Sequence, residues 1–314
     1  MAHMVEEMFS VRVTPWHGLG TVVEEAPDAA AAIKLAGLDW DVYQTPAYMR
    51  TEDSFIEVPN QLLNVRSDNH KVLGVVTDRY SIVQNREAFN FTDALIGGGD
   101  VRYETAGCLK DGRLVWMLAQ LKQDYKILGD DVAPYICFTT SHDGTGSVKV
   151  LMTPVRVVCN NTLNLALNTA KRQWSTVHVG DINKKMKAAE QTLFNAEKYM
   201  EALDREAHKM LDIKITPAQW EEIVEEVLPT NAKMSARARQ TVADKRQGLH
   251  DAIMMEDIKQ FRGTGWAAVN AITDFVAHTK PARNTATYDE NLFARVIHGD
   301  SLVDRMTALL LQVA

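Results

Sequence analysis

Cations set beside aromatic residues are the most suggestive chemistry in this 314-residue chain. Lys171, Arg172, Lys184, Lys185 and Lys187 bracket Trp174 and His178, which offers positive charge for phosphates next to a ring able to stack on a base. A second group, Lys233, Arg237, Arg239, Lys245 and Arg246, is interrupted by one acid, Asp244. On predicted strands, Arg66, Lys71, Arg79, Arg113, Lys149 and Arg156 form a shared cationic face if register brings them to one side. The plain alternative for each group is a solvated surface. A formal charge of -7 and a pI near 5.7 argue against coating by nucleic acid through bulk charge alone, so any such site has to be a local basic patch.

Other chemistry is thinly represented. Gly97-Gly98-Gly99 lacks the Lys-Ser/Thr ending of a phosphate-cradling loop and is followed by Asp100, at a predicted helix C-terminal end where the dipole repels anions. Ser141-His142-Asp143 spells a triad in writing, yet adjacent residues cannot converge as a triad must, and the segment reads as a turn between strands. His142, Asp143 and Cys159 are candidates to meet around one hairpin, whereas His17, His278 and His298 are scattered. Cys108, Cys137 and Cys159 are odd in number, far apart and without a CxxC pair, which indicates buried thiols in a reducing compartment. No catalytic residue, metal or cofactor is assigned.

These residues have to be positioned by a mixed set of elements. PDAAAAIKLA from Pro27 is a short helix stopped by Gly37, and the segments from Trp40 and Phe55 are rich in β-branched and aromatic residues. RSDNH breaks the stretch from Leu62 to Val83 into a hairpin, and Asn85 opens a helix through Ile96. VRYETAGCL and RLVWMLAQL flank Lys110-Asp111-Gly112, the strongest hairpin signal; a further pair of strands flanks His142-Asp143-Gly144-Thr145. A helix from Asn161 to about Thr169 follows. The fold class is α+β: an N-terminal, largely antiparallel sheet with hairpins and short helices over residues 1–179, then a mostly helical region over 180–314. The boundary near Gly180 can separate two domains or two lobes of one unit.

Past Gly180 the apolar positions Ile182, Met186, Ala189, Leu193, Ala196, Met200, Leu203, Ala207 and Met210 alternate spacings of four and three, a heptad seam. It serves either an intramolecular helix pair or self-association. Thr216 with Gln219 is a capping box before a helix carrying Trp220, Ile223, Val224 and Val227, ended by Pro229. Helices from about Ser235 to Phe261, Trp266 to His278 and Ser301 to Ala314 complete the order. MAHMVEEMF has no cationic-then-apolar leader pattern and no stretch reaches 18 apolar residues, so the expected location is the cytoplasm, without membrane insertion.

Three segments together carry a family likeness. Pro15-Trp16-His17-Gly18-Leu19-Gly20, then Arg156-Val157-Val158-Cys159-Asn160-Asn161-Thr162-Leu163, then Gly263-Thr264-Gly265-Trp266-Ala267-Ala268-Val269-Asn270-Ala271 resemble the phage/plasmid-like protein family, a domain-of-unknown-function group of phages, prophages and plasmids. Their order and spacing span most of the chain. The resemblance implies a mobile-element context and carries over no catalytic residue. In element order, a helix followed by hairpins and another helix, the first half is similar to the α+β core of phage single-strand annealing proteins of the Red beta and Erf type; that likeness implies an oligomer holding single-stranded DNA in a cationic groove.

The leading expectation is therefore an oligomeric, non-enzymatic protein that binds or anneals single-stranded nucleic acid in replication or recombination. Lys171, Arg172, Trp174, Lys184, Lys185 and Arg156 are its first candidate contacts. Two alternatives stand beside it: an enzyme with a site near His17, His142, Asp143, Cys159 and Asn160, and a host-interaction or structural protein assembling through the 182–210 helix. The family motifs also have structural explanations, with Trp16 and Trp266 as core anchors, Gly18 and Gly20 as turn glycines, and Asn160 and Asn161 as helix caps.

Overall fold

A computed structural model describes residues 5–12, 20–96, 101–121, 125–132, 134–153, 173–182, 184–187, 196–256, 258–278 and 301–313. Strands fill the N-terminal half and helices the C-terminal half, so the chain is α+β. It forms two compact units. The first comprises Met1–Asp124, Ala133–Val158 and Lys171–Ala196, and the second comprises Tyr125–Val132, Cys159–Ala170 and Glu197–Ala314.

The first unit is built on a seven-stranded sheet of β1 (Val5–Val11), β2 (Thr21–Val23), β6 (Arg102–Leu109), β7 (Leu114–Gln120), β10 (Tyr135–Ser141), β11 (Val148–Thr153) and β12 (Gln173–Thr176), in the order β12-β11-β10-β7-β6-β1-β2. All neighbours are antiparallel except β1 and β2, which run parallel. The hairpin at Lys110-Asp111-Gly112 needs positive φ at all three residues, which Asp and Gly tolerate best. Helices α1 (Ala29–Leu35) and α2 (Asn85–Ile96) bury Ile33, Ala88, Phe89 and Phe91 in a core with Phe9, Tyr103, Met117, Phe138 and Val150. Helix α1 starts later than the proline signal suggests: Asp28 is the cap, its carboxylate accepting from the amide of Ala31 at 2.9 Å, which satisfies a donor that Pro27 in the first turn would leave to water.

A second, three-stranded sheet of β3 (Val42–Arg50), β4 (Phe55–Arg66) and β5 (Val72–Thr77) runs in the order β3-β4-β5. Gln84 mimics a neighbouring strand at its edge, accepting from Val42 N and donating to Val42 O at 2.8 Å each.

The second unit holds the small hairpin β8 (Tyr125–Ile127) and β9 (Asp130–Val132), with helices α3 (Ala196–Asp212), α4 (Pro217–Val227), α5 (Ala236–Ile253), α6 (Gly265–His278) and α7 (Ser301–Val313). The Thr216–Gln219 capping box is formed in both directions, at 3.2 Å and 2.9 Å. Helix α5 is shorter than its polar pattern suggests. Its chain turns at Met254, whose carbonyl accepts from the guanidinium of Arg262, and a 3-10 turn over Lys259–Phe261 leads into α6. No described helix is long and apolar enough to cross a membrane.

The heptad seam divides between the units. Ile182 and Met186 belong to the sheet core of the first, while Met200, Leu203, Ala207 and Met210 are buried on α3 in the second. Ala189 and Leu193 lie outside the described residues. A period of 3.5 records which face is apolar, and two successive cores can each use part of one stripe.

Candidate functional site

The site begins at the turn after β10. The backbone of His142 is held twice: its amide donates to Arg113 O at 2.7 Å, and its carbonyl accepts from Asn64 Nδ2 at 2.7 Å. Its fully buried imidazole points at Asn85. The amide nitrogen of Asn85 is committed to the carbonyls of Leu38 at 3.0 Å and Trp40 at 3.3 Å, so its Oδ1 is the end that faces His142 Nε2 at 3.2 Å. Nε2 therefore carries the proton. Nδ1 keeps its lone pair and makes no hydrogen bond among the described residues. Burial and then His178 push the His142 pKa down to about 3, with Asp143 opposing and Arg66 adding to the shift.

The rest of the turn is fixed by its own side chains. Asp143 Oδ1 accepts from the amide and the hydroxyl of Thr145 at 2.9 and 2.7 Å, and Ser141 Oγ accepts from Gly146 N at 2.9 Å. The side chains of Ser141, His142 and Asp143 thus bond separate partners, Gly146, Asn85 and Thr145, and form no relay among the described residues. A Cβ on Gly74 would lie 2.5 Å from the Asp143 Cα, so β5 and this turn meet backbone to backbone.

The residues that follow each of these two, Val75 and Gly144, line a cleft of about 560 Å³. Val75 to Thr77 of β5 and the Gly144–Ser147 turn face Lys149 of β11 and the segment 177–179. Tyr80 and His178 line it as a stacked pair, ring centroids 4.6 Å apart and planes 13° from parallel. Tyr80 donates to Ser141 O, and burial raises its pKa. His178 Nδ1–H donates to Ser81 O at 3.0 Å, leaving Nε2 to accept from Thr140 Oγ1 at 3.3 Å. Burial lowers the His178 pKa, with Ser81 O and Asp143 acting against it. None of the described lining residues carries a carboxylate, although Asp and Glu outnumber Lys and Arg by 41 to 34 in the whole chain. Burial also lowers the pKa of the Lys149 amine.

Of the candidate contacts, Lys185 does not line the cleft but donates its Nζ to the carbonyl of the lining residue Val179 at 2.6 Å, and Lys184 beside it is exposed. Trp174 turns the other way: half-buried, it packs on the sheet core, because Val150 opposite it in register is an inward position. Lys171, Arg172 and Arg156 lie outside the described residues, as do Trp16, His17, Gly18, Cys159, Asn160 and Asn161. Of the cations proposed for a shared face of the sheet, Arg66 and Lys71 are each engaged by a carboxylate. Arg66 is 4% exposed, bonded to Asp68 at 2.7 Å and stacked 4.3 Å over Trp40, and Lys71 pairs with Asp111 at 3.1 Å.

Gly20 and Trp266 of the family motifs lie close against their neighbours. Gly20, at φ +91°, sits where a Cβ would meet the Met8 carbonyl oxygen at 2.6 Å. Trp266 is buried at the start of α6; Gly265 donates to Ile213 O at 2.9 Å, and Ile215 donates to Gly263 O at 2.9 Å. Cys108 and Cys137 are buried, and burial pushes the Cys137 thiol up to about 12. Among the described residues no group of three or more His, Cys, Asp or Glu side chains is arranged to hold a metal ion.

Sequence reasoning missed the cleft because its walls come from four separated segments. The signal that points to it is the glycine spacing in His142-Asp143-Gly144-Thr145-Gly146, excessive for a simple hairpin turn.

Residues 72–297 match the family described as Domain of unknown function (DUF932), and the chain belongs to that family. No curated protein and no solved structure matches.

Proposed function

We propose that this member of the family binds and anneals single-stranded nucleic acid, acting as an oligomer in the replication or recombination of a phage or plasmid. The observation that carries the reading is the cleft beside the His142–Gly146 turn: a lysine, a stacked Tyr80–His178 pair and apolar walls, with no carboxylate among its described lining residues. Its volume of about 560 Å³ suits one nucleotide unit. Val75 and Val177, 58% and 62% exposed, offer apolar contact to a base or sugar, while Lys149 and the neighbouring Lys184 and Lys185 meet the phosphates. Asp143 fills the donors of its own turn, so the lysines rather than the glycine loop supply the anion contact. Annealing brings two strands together, and several copies side by side would present several clefts to one strand.

A fluorescently labelled oligo-dT, titrated at low and moderate salt, tests this. Binding that weakens steeply with salt is the expected result. No binding at low salt overturns it.

A further inference from the structure

The first ten residues of α5 have little covering them. Every residue from Ala236 to Lys245 is exposed except Ala238 and Val242, which are half-buried. The apolar residues that anchor the helix, Leu249 and Ala252, lie in its last turns. What holds the exposed part in a helix is local. Ser235 Oγ caps Ala238 N at 3.2 Å, Gln240 reaches Asp244 at 2.8 Å, and the segment is rich in Ala, Arg and Gln, which favour helix. An exposed helix of this kind normally carries ion pairs between its turns.

This one does not. Between Lys233 and Lys245 stand four cations and a single carboxylate, and none of Lys233, Arg237, Arg239 and Lys245 makes an ion pair among the described residues. By contrast Arg246, one residue further, is used inside the unit: it bonds Leu228 O at 3.1 and 2.9 Å and Glu225 at 3.1 Å. The bonded cation therefore stands where the exposed segment ends.

We infer that this exposed basic segment of α5 is a second contact surface for the phosphate backbone of single-stranded nucleic acid. At about 100° per residue, Arg237, Arg239 and Lys245 spread around much of the helix circumference over about 12 Å of its length. That distribution gives a rod positive on several sides. A flexible chain of phosphates can follow it, whereas a flat, rigid acidic surface would meet one or two of the cations. Side chains of this kind position a backbone without reading its sequence.

The surface goes beyond the cleft of the first unit and is tested apart from it. In the full-length chain, Lys233, Arg237, Arg239 and Lys245 are changed together to Gln, a residue of similar helix propensity, and circular dichroism checks the fold. Affinity for a labelled 30-nucleotide oligo-dT is followed against salt beside wild type and Lys149→Glu. The inference expects the slope of log affinity on log salt to become shallower by about 3, since each phosphate contact on a single strand contributes about 0.7. An unchanged slope overturns it, even where Lys149→Glu weakens binding and so supports the cleft. A shallower slope with no effect of Lys149→Glu supports α5 and removes the cleft. Absence of binding in wild type removes both. Preference for duplex over single strand, or equal competition by polyglutamate, overturns the assignment of the partner.

Discussion

His142 donates its Nε2 proton to Asn85 Oδ1 across 3.2 Å, and the other nitrogen of the same buried ring makes no hydrogen bond among the described residues. The pair ties the turn after β10 to the first residue of α2, and the cleft wall stands on that turn.

Acid should therefore act through His142. Its pKa is about 3 in the folded chain against 6.5 for an ordinary histidine, so between those limits the unfolded chain binds the extra proton. The neutral ring's contribution is complete above about pH 6.5 and is lost as pH falls, by up to about 1.4 kcal/mol per pH unit. His178, also depressed, adds in the same direction. Urea midpoints measured from pH 7.5 to 5 should fall with pH, and His142→Gln should flatten the profile by about one proton. An identical slope in the variant would contradict the assignment.

Asn85→Ala removes three bonds at once. It leaves the His142 Nε2–H and the Leu38 and Trp40 carbonyls without their partner. Chemical denaturation should show a loss of about 2–4 kcal/mol. A loss below about 0.5 kcal/mol would mean that water or a neighbour replaces the amide.

Gly74→Ala sets a methyl group 2.5 Å from the Cα and 2.7 Å from the carbonyl oxygen of Asp143. Backbone must give way, at a cost of about 1–3 kcal/mol. Because the displaced residue belongs to the turn beside the cleft, oligonucleotide binding should weaken more than the stability loss alone explains. Full affinity in a folded Gly74→Ala chain would detach the cleft from binding.

In the second unit, Thr216→Ala breaks the capping box of α4 and should cost about 1 kcal/mol by thermal or urea unfolding. No measurable change would show that the cap contributes nothing beyond what solvent supplies.

Local signals translated well from sequence to fold. The Thr216–Gln219 box, the Gly37 stop at φ +62°, and the hairpin at Lys110-Asp111-Gly112 each depend on a few adjacent residues. The α+β class followed from their order. Long-range pairing was less legible: β1 lies between β6 and β2, a neighbour relation that no local pattern encodes. The cation groups show the same limit. Charge spacing placed Arg246 with Arg239, yet one caps α4 and the other is exposed; Trp174 read as a stacking ring, yet strand register turns it to the core. Burial of a single side chain depends on which face its element packs, and that is decided by partners far away in sequence.

Single-stranded nucleic acid is proposed to occupy the cleft beside the His142–Gly146 turn. Hydrogen–deuterium exchange of the full-length chain, with and without saturating oligo-dT at low salt, tests it most directly. The account predicts slowed exchange in the peptides covering 143–149 and 177–179. Unchanged exchange in both, with the oligonucleotide demonstrably bound, would contradict it.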